Sequence, residues 1–186
     1  ALEGAGSEVV TAQYHAPYVA HQPLEPLSAV VKVSESRVDI WVCHQAPRFA
    51  QDRVAAVTGL DADQVHLHNQ YGGGSFGHRL ELDMIERAVE VGMGVPDVPV
   101  KLTYSREEDF AQDFTRQIGM GRGTGRVAEG KVEAMDLQIA TVSSSRSQGG
   151  RMGAPTPGAD TQIAAGAWNM PFAIPHLRVR AYAVPE

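Results

Sequence analysis

Three consecutive glycines at positions 72 to 74 constrain the fold of the first half of the sequence. A run of glycine loses much backbone entropy in any regular element, so one element is expected to end before the run and another to begin after it. Val65–Asn69 has the composition of a short strand, and residues 80–91 form an amphipathic helix pattern. The glycines are therefore predicted to lie in a loop that joins a strand to a helix.

A second junction between a strand and a helix lies earlier in the chain. Residues 37–43 alternate apolar and polar side chains, which predicts a strand, and Ser28–Val33 is its predicted partner. Pro47 is a favoured first residue of a helix and Gly59 is a favoured stop, so a helix is predicted between them. Gln45 consequently lies at the corner where the strand passes into the helix.

The second half of the sequence has the pattern of antiparallel strands. Strands are predicted at 100–104, 118–127, 132–142 and 177–184. Glycine occupies every second position from 119 to 125, so one face of that strand lacks side chains, and either close approach of another element or local flexibility would explain it. Residues 143–161 are rich in Ser, Gly and Pro, which indicates a binding loop or a mobile segment.

These patterns predict an α+β fold, with helices packed on mixed, largely antiparallel β-sheet, because few strands are separated by full helical crossovers. A chain of 186 residues can form one good core or two small ones. The pattern allows a division into residues 1–115 and 116–186. The sequence opens with Ala1-Leu-Glu-Gly and without a recognisable start, so a piece of something longer is expected.

Composition excludes several classes of function. The net charge is −6, from 16 basic and 22 acidic residues, and no basic stripe is present, so nucleic acid is not an expected partner. The single cysteine, Cys43, excludes an internal disulfide framework and a cysteine-rich metal site. No apolar run approaches the ~20 residues that a membrane span needs.

The glycine loop contains the G-x-S-x-G pattern of a serine hydrolase, formed by Gly73, Ser75 and Gly77. Asp113 and His176 follow in the order that would complete a triad. However, three glycines would loosen the turn, the helix begins several residues late, and no parallel sheet is evident. A nucleophilic Ser75 is therefore the less favoured interpretation.

Two further interpretations concern anions and metals. Consecutive glycines let backbone N–H groups approach an anion, but the loop matches neither nucleotide-binding fingerprint. His66 and His68 would point to the same side of a strand, as ligands of a metal do, yet no third ligand is near them in sequence. Exposure or ordinary hydrogen bonding is favoured for both, and likewise for His15, His21 and His176.

Four blocks of sequence carry a resemblance to a known family. They are YVAHQPLEPLSA at 18–29, IWVCHQAP at 40–47, GGSFGHRLE at 73–81 and PVKLTYSREED at 99–109. Their succession resembles the molybdopterin-binding large subunit of the xanthine dehydrogenase/aldehyde oxidase family, above all isoquinoline 1-oxidoreductase and membrane-associated aldehyde dehydrogenases. The chain would be a partial molybdopterin-binding domain over residues 1–186.

The resemblance implies roles for residues at both junctions. In the family, a glutamine in a T-Q-x-P setting donates its amide to the apical oxygen of molybdenum; Gln45 has this position, and His44 replaces the usual threonine. The family's G-G-G-F-G loop presses its backbone against the oxygen ligands of the metal. Its cofactor-binding counterparts are Gly73, Gly74, Ser75, Phe76 and Gly77. Ser75 therefore occupies the place of a glycine. Glu25 lies in the signature block at 18–29 and is interpreted as a structural carboxylate.

The reaction implied by the resemblance is hydroxylation of an aldehyde or an N-heteroaromatic carbon with oxygen from water. The cofactor would be molybdenum-molybdopterin, expected as the cytosine dinucleotide. Its electrons would pass to 2Fe–2S clusters in a small iron–sulfur subunit, and a cytochrome is a further candidate partner. The remainder of the large subunit is also an implied partner. The full protein would be cytoplasmic or associated with the periplasmic face of the inner membrane.

The family's catalytic glutamate lies in a Gly-x-Gly-Glu context that does not occur in this sequence. No catalytic residue and no metal ligand is therefore predicted within the chain, and the isolated chain is expected to carry no cofactor and to be inactive. The alternative to a piece of an enzyme is a noncatalytic module that folds and binds a partner surface.

Overall fold

The computed structural model describes Leu2, residues 8–154 and residues 158–185. The strands are β1 (Glu8–Ala16), β2 (Ser28–Val33), β3 (Val38–Val42), β4 (Val65–Asn69), β5 (Val100–Thr103), β6 (Gly119–Ala128), β7 (Lys131–Val142) and β8 (His176–Val184). The helices are α1 (Pro47–Thr58), α2 (Asp83–Met93), α3 (Arg106–Ala111) and α4 (Ser144–Arg151). The predicted α+β class is confirmed. No helix in these described ranges is long and apolar enough to cross a membrane.

The chain divides into two compact units. The continuous unit is Ala20–Thr115, and the two-segment unit combines the chain up to Val19 with the chain from Arg116 onward. The division considered from sequence placed the first residues with 20–115, whereas β1 belongs to the other unit because it pairs with β6 along its whole length. Val19 extends this pairing, since its N–H donates to the Arg116 carbonyl at 3.3 Å and its carbonyl accepts from Arg116 N at 2.8 Å.

The sheet of the continuous unit has the strand order β4-β3-β2-β5. The β2 strand is antiparallel to both neighbours, whereas β3 and β4 are parallel and α1 connects them. Sequence analysis found no parallel pair, because the five residues of β4 alternate apolar and polar side chains as an antiparallel edge strand does. This β3-α1-β4 unit decides where the two junctions of the chain meet.

The core of the continuous unit lies between its sheet and the helices α1 and α2. Val31, Val38 and Ile40 from the sheet are fully buried, as are Val54 from α1 and Val89 from α2. Burying one such side chain contributes about 1.5–3 kcal/mol. The apolar face that the sequence predicted for α2 is the face that packs.

The sheet of the two-segment unit has the order β1-β6-β7-β8, antiparallel except for the pair β7 and β8. Its buried apolar side chains within the described ranges are Ala134, Val142 and Ala164. The glycine face of β6 is only partly covered. A Cβ at Gly123 would lie 3.1 Å from Leu137 Cδ2, whereas a Cβ at Gly121 would meet nothing within 4 Å.

Residues 143–161 are more regular than predicted, because they contain α4. The Ser143 hydroxyl caps this helix by accepting a hydrogen bond from Arg146 N. The buried Asp160 carboxylate accepts from the hydroxyls of Ser143 at 2.7 Å and Ser145 at 2.9 Å. Burial alone raises the pKa of Asp160, but these hydrogen bonds lower it overall. The prediction of a loop was wrong for α4, because capping by Ser143 outweighs a Ser- and Gly-rich composition. Residues 155–157 lie outside the described residues.

Candidate functional site

The two junctions singled out from sequence meet at one edge of the sheet. Since β3 and β4 are parallel neighbours, their carboxyl ends lie at the same edge, where ligands of α/β units characteristically bind. Gln45 follows β3, and the glycine loop, residues 70–77, follows β4. Gln45 N donates to the carbonyl of Arg79 at 2.9 Å, directly after the loop, so the corner and the loop are in contact.

The side-chain amide of Gln45 is held by the loop. Its Oε1 accepts a hydrogen bond from Gly77 N at 3.1 Å, and the residue is exposed. Gly77 has a φ of +108°, a conformation that strongly favours glycine. With the oxygen engaged, the NH₂ group of Gln45 is the part of the amide that remains to donate outward.

Glu25 fastens the other end of the loop. Its carboxylate accepts from Gly73 N at 2.6 Å, and its own N–H donates to the Gly73 carbonyl at 3.2 Å. The approach is so close that a Cβ at Gly73 would lie 2.8 Å from Glu25 Cβ, and one at Gly72 would lie 2.4 Å from Cys43 Sγ. Glu25 therefore acts as the structural carboxylate that its signature block suggested, and Gly72 and Gly73 are required by space.

Arg79 lies under the loop and is 1% exposed. Its Nε donates to the Gly74 carbonyl and its Nη2 to the Glu25 carbonyl, both at 2.9 Å. Nη2 also lies 3.4 Å from the Glu25 carboxylate, so one guanidinium ties together both sides of the loop. Nη1 is buried without a hydrogen-bond partner among the described residues. No role was predicted for Arg79 from the sequence, although it lies in the block at 73–81.

Two backbone donors of the glycine loop have no partner among the described residues. The amides of Gly74 and Ser75 donate to no group in the described part of the chain. Gly74 has a φ of +103°, and Phe76 has a φ of +57° with its ring 63% exposed. A positive φ at a phenylalanine costs on the order of 1 kcal/mol or more and is typical of functional loops.

Ser75 lacks the partners of a hydrolase nucleophile. Asp113, the candidate acid, instead accepts from His21 N at 2.8 Å and lies 2.8 Å from His21 Nδ1. His176 begins β8, in the other unit of the chain. Within the described ranges the Ser75 hydroxyl is hydrogen-bonded to no histidine, so its side chain has no base to activate it.

His66 and His68 do not form a metal site. His68 Nε2 lies 3.0 Å from Asp39 Oδ1, and its ring stacks on Trp41 with centroids 5.0 Å apart. Arg37 also binds Asp39, and together with His68 it holds the pKa of that carboxyl far below its usual range. His68 is therefore part of an exposed network with Asp39.

His44 stiffens the corner that carries Gln45. Its buried ring accepts from Ala46 N through Nδ1 at 3.0 Å, and its Nε2 lies 3.3 Å from the Glu81 carbonyl, to which it donates. The side chain of Asn69 binds both the N–H and the carbonyl of His44. Burial lowers the pKa of His44 below its ordinary value. A neutral imidazole thus holds the backbone on both sides of Gln45.

The free energy of unfolding is expected to fall as the pH drops below about 6.5, in part because of His44. The unfolded chain takes up a proton on His44 near that pH, whereas the folded protein does so only at lower pH. His44→Gln should therefore reduce the slope of the unfolding free energy against pH by up to about 1.4 kcal/mol per pH unit. Urea unfolding at several pH values between 7.5 and 5 measures it, with His68→Gln as the control. An unchanged slope in His44→Gln would contradict this role.

Comparison with known proteins places the whole chain in one family. The model of the molybdopterin cofactor-binding domain matches residues 2–185. Isoquinoline 1-oxidoreductase subunit beta of Brevundimonas diminuta is 32% identical over 100 residues, which are 53% of this chain and 13% of that protein. Aldehyde oxidase 1 of Rattus norvegicus is 27% identical over 135 residues, which are 70% of this chain and 10% of that protein.

The fold is shared with solved structures. The aldehyde oxidoreductase from Desulfovibrio desulfuricans matches with a TM-score of 0.72 and 20% identity, over 98% of this chain and 20% of that chain. The chain therefore spans only a small part of the length of these proteins. By the match over residues 2–185, the chain belongs to the molybdopterin cofactor-binding domain family.

Proposed function

We propose that the chain contributes part of the molybdenum-molybdopterin site of a hydroxylase that oxidises an aldehyde or an N-heteroaromatic compound with oxygen from water. The two substrate classes are those in the names of the relatives, isoquinoline 1-oxidoreductase and aldehyde oxidase. The family match supports the cofactor. The finer proposals, a cytosine dinucleotide form of the cofactor and electron transfer to a small iron–sulfur subunit, rest on the resemblance of the four sequence blocks to the family.

The proposal rests on a group of hydrogen-bond donors at the edge of the sheet. The NH₂ of Gln45 and the amides of Gly74 and Ser75 have no partner in the described part of the chain, and Arg79 Nη1 is buried without an acceptor. A molybdenum-molybdopterin group carries oxo and phosphate oxygens, which are acceptors with negative charge. Neutral donors over a buried guanidinium fit such a group.

The residues of the chain would bind and orient this cofactor. When bound, the molybdenum centre supplies the redox chemistry. Gln45 and the loop amides donate hydrogen bonds at fixed positions, and the exposed ring of Phe76 offers an apolar wall beside them. None of these groups can take up a proton, and the Glu25 carboxylate is engaged by Gly73 N and Arg79. The proton acceptor of the reaction is therefore proposed to lie outside the chain.

The test is molybdenum and pterin analysis of the full-length protein purified with its partner, together with dye reduction by aldehydes and N-heterocycles. We expect about one molybdenum per full-length subunit and turnover with one substrate class. Residues 1–186 alone should carry no molybdenum and reduce no dye, because they offer donors without a proton acceptor. A full-length protein free of molybdenum would overturn the proposal, and a short chain with metal and turnover would overturn the assignment of residues.

A further inference from the structure

We propose that His21, His78 and Asp113 form a binding site for one divalent transition-metal ion, distinct from the proposed cofactor site. A ring nitrogen of each histidine and a carboxylate oxygen of Asp113 lie within 4.8 Å of one another. The three residues are far apart in sequence, so no spacing motif predicts them. None of the donors proposed to hold the molybdenum cofactor belongs to this set.

His78 supplies the observation that points to an ion. Its side chain is 2% exposed, and its Nε2 lies 3.2 Å from Asp109 Oδ1, to which it donates. Nδ1 lies 3.0 Å from Asp113 Oδ1 but makes no hydrogen bond. In a neutral imidazole whose Nε2 carries the proton, Nδ1 is a lone pair. A lone pair and a carboxylate oxygen this close repel each other unless a proton or a metal ion lies between them.

His21 completes the set of ligands. Its ring stacks on that of His78, with centroids 5.5 Å apart and an angle of 11° between the planes. Its Nδ1 lies 2.8 Å from the same Oδ1 of Asp113, and its backbone N–H donates to Oδ2 at 2.8 Å. The backbone contact fixes the carboxylate so that Oδ1 faces both rings. Metal binding would displace the proton shared by His21 and Asp113.

The surroundings of the cluster have the features of a metal centre. Asp109 is 1% exposed and accepts from Leu27 N at 3.0 Å and Arg106 Nη1 at 3.1 Å. It therefore orients His78 from the side opposite Nδ1, as carboxylates commonly orient metal-bound histidines. The charges of Asp109, Asp113 and Arg106 sum to −1, and this net negative charge favours binding of a cation. Two imidazoles and one carboxylate suit zinc, iron(II) or cobalt(II) rather than calcium or magnesium.

The experiment is equilibrium dialysis of tag-free, chelator-stripped protein against Zn²⁺, with Co²⁺ as a spectroscopic probe. We expect one equivalent of Zn²⁺, visible d–d absorption from Co²⁺, and a rise in Tm on metal addition. His78→Gln and Asp113→Asn should abolish all three signals. Asp109→Asn keeps all three ligands but weakens the contact that orients His78 and removes the charge partner of Arg106, so it should weaken Zn²⁺ binding by about 10- to 100-fold.

His68→Gln is the matched control, since His68 also binds a carboxylate but lies on the surface. It should keep the stoichiometry and the Tm shift of the wild type. Circular dichroism without metal verifies that each variant is folded, and His21→Gln, at a less buried ligand, replaces any variant that is not. Absence of Zn²⁺ from the wild type, or full binding by a folded variant at position 21, 78 or 113, would show that the cluster holds only protons. Neither result depends on the molybdenum content of the protein.

Discussion

Replacing Gln45 by alanine in the full-length enzyme is expected to lower kcat about 10²-fold while the fold remains intact. The NH₂ group of Gln45 is positioned in advance, because the Oε1 of the same amide accepts from Gly77 N. Losing one such preorganised donor commonly costs two to three powers of ten in turnover. The kcat must be expressed per bound molybdenum, so that loss of cofactor is not counted as loss of catalysis.

Gln45→Glu distinguishes donation from anchoring of the loop. A carboxylate can still accept from Gly77 N, but it has no N–H to offer to the cofactor. We expect the glutamate variant to lose as much kcat as the alanine variant. Gln70→Ala is the control, since Gln70 is an exposed glutamine that begins the same loop and its side chain donates to the carbonyl of His68. Wild-type kcat in Gln45→Glu would mean that Gln45 serves the loop and not the cofactor.

Arg79→Met is expected to lower the free energy of unfolding of the continuous unit by about 3 kcal/mol. Methionine fills much of the same volume but leaves the carbonyls of Gly74 and Glu25 without their donor. It also removes the cation next to the Glu25 carboxylate. Loss of several buried hydrogen bonds from one side chain belongs to the small group of changes with large effects on stability.

Urea unfolding followed by tryptophan fluorescence measures this loss. The sequence has two tryptophans, Trp41 in β3 and Trp168 in the two-segment unit, so a Trp168→Phe background makes the signal report on the continuous unit. Arg48→Met is the control, because Arg48 lies on the surface of α1, where it pairs with the exposed Asp52, and its loss should cost less than about 1 kcal/mol. Equal effects of the two arginine variants would show that the contacts of Arg79 do not stabilise the unit.

Elements with local signals were predictable from the sequence. The alternation in β2 and β3 and the proline and glycine at the ends of α1 each depend on neighbouring residues, and the structure has these elements where they were expected. β1 was missed because it is exposed on both faces and depends on its pairing with β6, which is distant in sequence. α4 was missed because its capping network includes Asp160, which is distant in sequence.

The candidate site was likewise predictable from the sequence only in part. Gln45 and the glycine loop were identified through short blocks, and their position after adjacent parallel strands then emerged from the fold. The support of the loop was not predictable, because Glu25 and Arg79 are separated by 54 residues and approach only in the folded chain. His78 lies in one of the family blocks and Asp113 was considered only as the acid of a hydrolase triad, so nothing in the sequence connects the two. Pairings between distant polar side chains leave no periodicity in a sequence.

The backbone pairing of Val19 with Arg116 bears on the order in which the molecule folds. Bringing together the ends of a flexible loop of ~96 residues costs about 3 kcal/mol more free energy than closing a short turn. The reason is that the entropic cost of loop closure grows as roughly 1.5RT times the logarithm of the loop length. If Ala20–Thr115 folds first, the loop between β1 and β6 is already compact and the two strands can join as arms of a hairpin. On the ribosome, β1 emerges first but can find its partner only after β6 has been synthesised. The backbone groups of β1 therefore remain unpaired until β6 has been synthesised. Slow folding of the continuous unit would prolong this exposure and so favour aggregation during synthesis.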